Sequence, residues 1–348
     1  MPPLRFGILG TGNIARQFAL GVAGASRSVI TAVASRSIDK ARQFAAAHNI
    51  PHAHGSYDAM LADPNVDAIY LSLPNSMHCQ WTLQSLEAGK HVLCEKPLAA
   101  NLDQAHRMFD AARRTNRVLV EAFMYRCFPL MQQVRQAVRD GAIGRLRLVR
   151  CSFNYFTSKI DGNVRFDASL AGGALMDIGC YCIDFARLMI GAEPTEIQAR
   201  GVIHPSGVDE MVVAFMTFPN QTPQGVLASF TCGMRAHADN SAYLCGSDGY
   251  IVIPIPWKPP AKNAIWELRT MPRPQSETLS EPPRVAAMSS GPTQKQFTVD
   301  TDKPLFALEA DAFAAVVLDG TTPFITEADS IADMTILDTM RKQIGLKY

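Results

Sequence analysis

Strong charge of either sign is missing from this chain. Lys and Arg number 33 against 32 Asp and Glu, for a net charge of +1. No one-signed field therefore recommends nucleic acid or an anionic membrane as a partner. Long hydrophobic runs are missing as well. No apolar stretch reaches the roughly 20 residues that span a bilayer, although 47% of the residues are hydrophobic. A mean hydropathy near zero predicts a soluble protein. Met1-Pro2-Pro3-Leu4-Arg5 passes straight into Phe6-Gly7-Ile8-Leu9, without the h-region and cleavage site of a secretory signal. A cytoplasmic location is the expectation. The eight cysteines contain no Cys-x-x-Cys pair and no zinc-like Cys/His spacing. They read as small buried hydrophobes, and neither a metal nor a disulfide framework is expected. Asn220-Gln221-Thr222 matches a glycosylation sequon and is discounted outside a secretory context.

What is present suggests two units, since 348 residues is long for one core. Up to residue 123, short apolar runs at Leu4–Leu9, Val29–Ala34, Ala68–Leu73, His91–Cys94 and Arg117–Val120 alternate with amphipathic segments. Runs that are apolar throughout suit strands buried on both faces. Ala15, Phe18, Ala19 and Val22 make the apolar stripe of the first helix, Gly89 ends a later one, and Asn101 with Gln104 starts another. This alternation predicts an α/β fold with a doubly wound parallel sheet. From residue 124 to 348 longer alternating strands take over, at Arg145–Tyr155, Glu196–Ile203, Met211–Phe218, Gly225–Thr231 and Tyr250–Ile255. They predict a second α/β unit with a large, mostly antiparallel sheet. One of the turns between them is read at Gln221-Thr222-Pro223-Gln224-Gly225. The Pro-rich stretch from Pro256 to Pro292 is expected to be a long, partly mobile excursion, and a last helix is expected near Glu327–Lys342.

Gly10-Thr11-Gly12-Asn13-Ile14-Ala15 fits G-x-G-x-x-A between the first strand and the first helix. Such a turn lets the backbone approach a pyrophosphate and aims helix N–H groups at it. The second strand ends Ala34-Ser35-Arg36-Ser37, with Lys40 nearby, where an NAD site would place a carboxylate. A hydroxyl and a guanidinium there favour the 2′-phosphate of NADP(H). The bland alternative is that Ser37 merely caps the next helix. Leu73, Pro74, Asn75 and His78 follow another strand and are candidate cofactor contacts, although a structural hydrogen bond would equally explain His78.

Glu95-Lys96-Pro97 ends the His91–Cys94 run. A lysine held there can orient a substrate hydroxyl or lower the pKa of a neighbouring acid or base. Further on, Gly172-Gly173 opens an apolar helix carrying Asp177, Tyr181 and Asp184 at i, i+4 and i+7, which predicts one polar face lining a cleft.

Together Gly10-x-Gly12-x-x-Ala15, Glu95-Lys96-Pro97 and Gly172-Gly173-x-x-x-Asp177-x-Gly179-x-Tyr181 resemble the Gfo/Idh/MocA oxidoreductases, the glucose–fructose oxidoreductase and inositol dehydrogenase family. Glu121-Ala122-Phe123-Met124-Tyr125-Arg126 and Asp177-Ile178-Gly179-Cys180-Tyr181 are most similar to the branch of dimeric dihydrodiol dehydrogenase and NADP-dependent xylose dehydrogenases. The closing residues 341–348 also look like this family. The resemblance implies an N-terminal Rossmann domain, a C-terminal domain whose open sheet makes a homodimer or homotetramer, a catalytic Lys96, and a cis Lys96–Pro97 bond. Inositol dehydrogenase-like members have histidine where Tyr181 stands, so tyrosine is expected as the acid/base.

The expected reaction is hydride transfer between a sugar and NADP, with a pyranose C1 hydroxyl giving a lactone. Tyr181 takes the proton as a phenolate favoured by Lys96, and Asp177 orients the lysine or the sugar. Tyr125, Arg126, Tyr155, Phe156 and Arg165 are weaker candidates for the substrate pocket. The alternatives are an aldose–aldose oxidoreductase with tightly held NADP(H), a trans-dihydrodiol dehydrogenase, and a non-catalytic NADP sensor.

Overall fold

The computed structural model describes residues 2–219, 225–271 and 293–346. The first sheet contains β1 (Leu4–Leu9), β2 (Ser28–Ala34), β3 (His52–His54), β4 (Ala68–Leu71), β5 (His91–Glu95) and β6 (Leu119–Ala122). All pairs are parallel, in the order β3-β2-β1-β4-β5-β6. The order reverses between β1 and β4, and ligands bind outside the carboxyl ends of strands at such a switch point. Five helices connect the strands: α1 (Asn13–Val22), α2 (Ile38–His48), α3 (Tyr57–Leu61), α4 (His78–Glu87) and α5 (Leu102–Thr115).

The local signals behind these elements are physical. Ala15, Phe18, Ala19 and Val22 are the buried stripe of α1, and Phe18 stacks on Tyr70 of β4 at 3.6 Å between ring centroids. Asn101 caps α5 by accepting from the Gln104 N–H at 3.0 Å. The Gln104 side chain reaches back to the Ala100 N–H, one residue beyond a strict capping box.

The second sheet runs β14-β13-β12-β11-β7-β10-β9-β8. Its strands are β7 (Leu146–Asn154), β8 (Glu196–Ile203), β9 (Asp209–Phe218), β10 (Val226–Gly233), β11 (Ala242–Gly246), β12 (Gly249–Ile253), β13 (Ala264–Thr270) and β14 (Thr293–Val299). Only β7 and β10 pair in parallel. On β9, Val212, Ala214, Met216 and Phe218 are buried, while Val213 and Phe215 face outward. Helix α7 (Cys180–Ile190) follows a single π-helical turn at Leu175–Gly179. The remaining α-helices among the described residues are α6 (Pro129–Arg139), α8 (Leu305–Asp319) and α9 (Glu327–Gln343).

Two segments depart from expectation. Within the Pro256–Pro292 stretch stands β13, a strand the sequence pattern did not indicate; residues 272–292, the turn at 221–224, the sequon and the last two residues lie outside the described residues. Helix α8 carries no periodic signal, since it is apolar around most of its circumference and its N-cap is Pro304. It also crosses the expected division at residue 123. Phe306 meets Phe18, Phe313 meets Phe6, and Asp311 accepts from the Ser26 and Arg27 N–H groups.

Candidate active site

The carboxyl edge of the first sheet collects four chain segments. The β1–α1 turn brings Gly10, Thr11, Gly12, Asn13 and Ile14. The β2–α2 turn brings Ser35, Arg36 and Lys40, the β4–α4 turn brings Leu73, Pro74, Asn75 and His78, and the end of β5 brings Glu95 and Lys96.

The first turn fits a dinucleotide on its own geometry. Gly10 has φ +106°, and a Cβ there would lie 3.1 Å from the Ser72 hydroxyl. At Gly12 an added Cβ would meet nothing within 4 Å, so the backbone is open to an approaching ligand. Helix α1 starts without a side-chain cap and without an acidic residue in its first turn, whereas Ser37, Ser56 and Asn101 cap α2, α3 and α5. Oriented N–H groups thus remain for an anion. At the end of β2 the Ser35 side chain is nearly buried, Arg36 is exposed, and Ser37 caps α2. No carboxylate stands at residues 34–38 to repel a 2′-phosphate.

His78 is fully buried, and its ring nitrogens lie 3.0 Å from the Pro97 carbonyl and 2.8 Å from the Leu73 carbonyl. It therefore ties the β4 and β5 loops together from beneath and presents no polar atom to the cleft. This corrects its expected contact with cofactor. Asn75 donates to the Ala171 carbonyl at 2.8 Å and so joins the β4 loop to the Gly172-Gly173 segment. Glu95 is buried, accepts from the Tyr70 hydroxyl, and is pushed up by burial against the opposing pull of Lys96.

Lys96, whose peptide bond to Pro97 is cis, reaches across to the π turn. Its Nζ donates to the Asp177 carbonyl at 2.6 Å, lies 3.7 Å from the Asp177 carboxylate, and sits 4.9 Å from the centroid of the Tyr181 ring. The carboxylate of Asp177 also accepts from the Tyr155 hydroxyl and from Arg165 Nε, each at 2.8 Å. Burial disfavours its charge, but Lys96, Arg165 and the Tyr155 hydrogen bond outweigh that and hold Asp177 below the usual carboxylate range.

The turn that presents Asp177 depends on two glycines. Gly173 has φ +114°, and a Cβ would lie 2.1 Å from the Asp209 carboxylate, which accepts from the Leu175 N–H at 2.7 Å. At Gly172 a Cβ would lie 2.4 Å from the Arg165 carbonyl.

The expected single polar face of Asp177, Tyr181 and Asp184 does not form. The extra residue in the π turn rotates Asp177 relative to the helix that follows. Asp184 is fully buried and accepts from Tyr125 and Arg126, and Arg126 also pairs with Asp329 at 3.3 Å. Tyr125 and Arg126 are thus consumed in an interior network behind the site, which corrects their expected place in the substrate pocket. Phe156 is exposed and stacks with Arg235 and His237 instead of joining the Asp177 cluster, because it follows Tyr155 on the opposite side of the chain.

Tyr181 is only 3% exposed and packs against Phe123, Tyr125, Phe153 and Trp257. Its hydroxyl donates to the Met124 thioether at 3.2 Å. Burial, followed by the charge of Glu95, pushes the phenol well above its ordinary value. The lysine lies over the ring face, while the hydroxyl is turned to the Met124 thioether.

Sequence reading missed Trp257 and Lys258. Trp257 Nε1 donates to the Ser152 carbonyl at 2.8 Å and its ring stacks on Phe153. The signal available was a lone Trp-Lys pair enclosed by Pro256, Pro259 and Pro260.

Comparison with known proteins supports this architecture. Residues 4–123 match the family model described as oxidoreductase family, NAD-binding Rossmann fold, and residues 131–252 match the GFO/IDH/MocA C-terminal domain. A Xenopus laevis protein named trans-1,2-dihydrobenzene-1,2-diol dehydrogenase is 33% identical over 99% of both chains. A Mus musculus protein of the same name is 38% identical over 74% of this chain and 76% of its own. Among solved structures, KijD10, a 3-ketoreductase from Actinomadura kijaniata in complex with NADP and TDP-benzene, superposes with a TM-score of 0.84 at 31% identity, covering 98% of each chain. The aldose-aldose oxidoreductase from Caulobacter crescentus, complexed with glycerol, has a TM-score of 0.83 at 25% identity, covering 98% of this chain and 97% of its own. With a glycine-rich turn after β1, a lysine directly after β5 and two family models that together match most of its length, this chain belongs to the GFO/IDH/MocA family of oxidoreductases.

Proposed function

We propose that this enzyme transfers hydride between NADP and a CH–OH group of a sugar, with a pyranose C1 hydroxyl oxidised to a lactone. The observation that carries the reading is Lys96, fixed on Asp177 and over the face of Tyr181 at the edge that carries the nucleotide turn. Ser35 and Arg36, with no carboxylate beside them, support NADP over NAD. The bound dinucleotide supplies or takes up the hydride.

In this proposal Tyr181 is the acid/base. When a carbonyl is reduced, its phenolic proton passes to the carbonyl oxygen, and the Lys96 ammonium offsets the charge left on the ring. When an alcohol is oxidised, the same proton returns from the hydroxyl to the phenolate. The Met124 thioether is a weak acceptor, so exchanging it for a substrate oxygen costs little. Asp177 anchors Lys96 and presents Tyr155 and Arg165 toward the substrate hydroxyls.

A second reading, oxidation of a trans-dihydrodiol, is supported by relatives of that name spanning 99% of the chain. The aromatic wall of Trp257, Phe153 and Tyr181 also suits a planar substrate. Aldoses, inositols and trans-dihydrodiols, each assayed with NADP⁺ and with NAD⁺, separate the readings. Turnover of diols without aldoses selects the second, and no turnover of either class refutes both.

For assembly, the proposal is a homodimer or homotetramer through the outer face of the second sheet. There Val202, Val213, Phe215 and Leu227 are exposed on neighbouring strands. Light scattering that returns a monomer at micromolar concentration would count against it.

A further inference from the structure

Beside the catalytic constellation lies a cation that the proposed chemistry does not use. Lys258 belongs to the segment Pro256-Trp257-Lys258-Pro259-Pro260, which follows β12. Three prolines restrict the backbone of this strap. Trp257 anchors it: its side chain is 3% exposed, donates to the Ser152 carbonyl at 2.8 Å, and packs between Phe153 and Phe185. The next side chain leaves the second sheet altogether. Lys258 crosses to the nucleotide half, where Nζ donates to Gln17 Oε1 at 3.2 Å. Gln17 lies midway along α1, about one turn beyond the uncapped start at Gly12 and Asn13.

Resting on the reading of the β1–α1 turn as a dinucleotide site, we propose that Lys258 is a cofactor clamp, which exchanges Gln17 for the pyrophosphate of the bound dinucleotide. Three observations support it. The reach from Trp257 to α1 brings the ammonium to Gln17, about one helical turn from the uncapped start where an anion would sit. Gln17 is a neutral partner, so the ammonium has no direct charge compensation in the resting contact. Around it, Lys96 and Arg165 repel while Glu95 and Asp177 attract. Although the residue is exposed, partial desolvation first, and then Lys96, lower the ammonium below the usual lysine range. An arriving diphosphate relieves both effects.

The clamp also gives the substrate half a direct hold on the cofactor, so its loss should act mainly on release. Lys258→Met and Lys258→Arg are compared with the unmodified protein for NADPH affinity by fluorescence titration and for release by stopped flow. A hydrogen bond to a charged group predicts that Lys258→Met weakens NADPH by about ten- to a hundredfold. Most of that change should appear as faster release, with a weaker dependence on salt. Lys258→Arg should keep most of the affinity. Affinity and release within twofold of the unmodified protein would overturn the clamp. So would a raised KM for the substrate with unchanged NADPH binding, since Lys258 would then be a substrate contact. If the unmodified protein fails to bind NADPH, the dinucleotide reading and the clamp fall together; binding with unaffected variants refutes the clamp alone.

Discussion

Replacing Glu121 by glutamine should stabilise this enzyme at alkaline pH and leave its stability at acid pH nearly unchanged. Glu121 lies on β6 behind the loop that follows Lys96, 1% exposed, and accepts from the Leu98 N–H at 2.8 Å. Its second carboxylate oxygen makes no hydrogen bond of good geometry, although the Ser330 side chain is near enough to favour its charge. Burial raises its pKa from the ordinary 4.5 to about 7, against the smaller opposing effects of Ser330 and the Leu98 N–H. One pKa unit is worth about 1.4 kcal/mol, so the shift amounts to roughly 3 kcal/mol. The folded form keeps this proton up to about pH 7, while the unfolded chain releases it near the ordinary value. The favourable contribution is therefore complete below the unfolded pKa and is lost as pH rises through 7. Glutamine keeps the acceptor for Leu98 and has no charge to bury. Denaturant unfolding of both proteins at pH 5 and pH 8 measures the effect. The advantage of Glu121→Gln should grow by about 2.5 kcal/mol between those values, since part of the effect is already spent at pH 5. A difference that stays flat with pH would refute the claim that burial of this carboxyl outweighs the hydrogen bonds it accepts.

Other substitutions test the catalytic and interior assignments. Tyr181→Phe removes only the proposed proton donor, so turnover should fall by a factor on the order of 10² or more, and near-normal turnover would remove Tyr181 from the chemistry. Ser35→Asp places a carboxylate where a 2′-phosphate is expected, so the ratio of kcat/KM for NADP⁺ to that for NAD⁺ should fall; an unchanged ratio contradicts the cofactor assignment. Arg126→Met leaves Asp184 charged and buried without its main partner, at a cost of about 3–5 kcal/mol in unfolding free energy. A KM change without a stability loss would return Arg126 to the substrate pocket.

Much of the nucleotide half was readable because its signals are local. A parallel strand buried on both faces is apolar throughout, and β1 matches its expected run from Leu4 to Leu9. Gly10 and Gly12 act through their own backbone and the next helix. The second half was less legible. β13 is embedded between prolines, β14 is mostly exposed and polar, and α8 is buried around most of its surface, so none shows the contrast on which periodicity depends.

The site divides along the same line. The chain's own order determined that Lys96 ends a strand beside a nucleotide turn, and that Asp177 and Tyr181 follow a glycine pair. Folding decided which of these meet. A one-residue π insertion sends Asp177 to Lys96 and Arg165 while Asp184 turns to Arg126. Burial pushes the Tyr181 phenol well above its ordinary value, an effect that charge proximity alone does not reveal. Lys258 reaches α1 from 241 residues away in sequence. Helix geometry, desolvation and long-range contact arise only once the two sheets are assembled, so no local pattern encodes them.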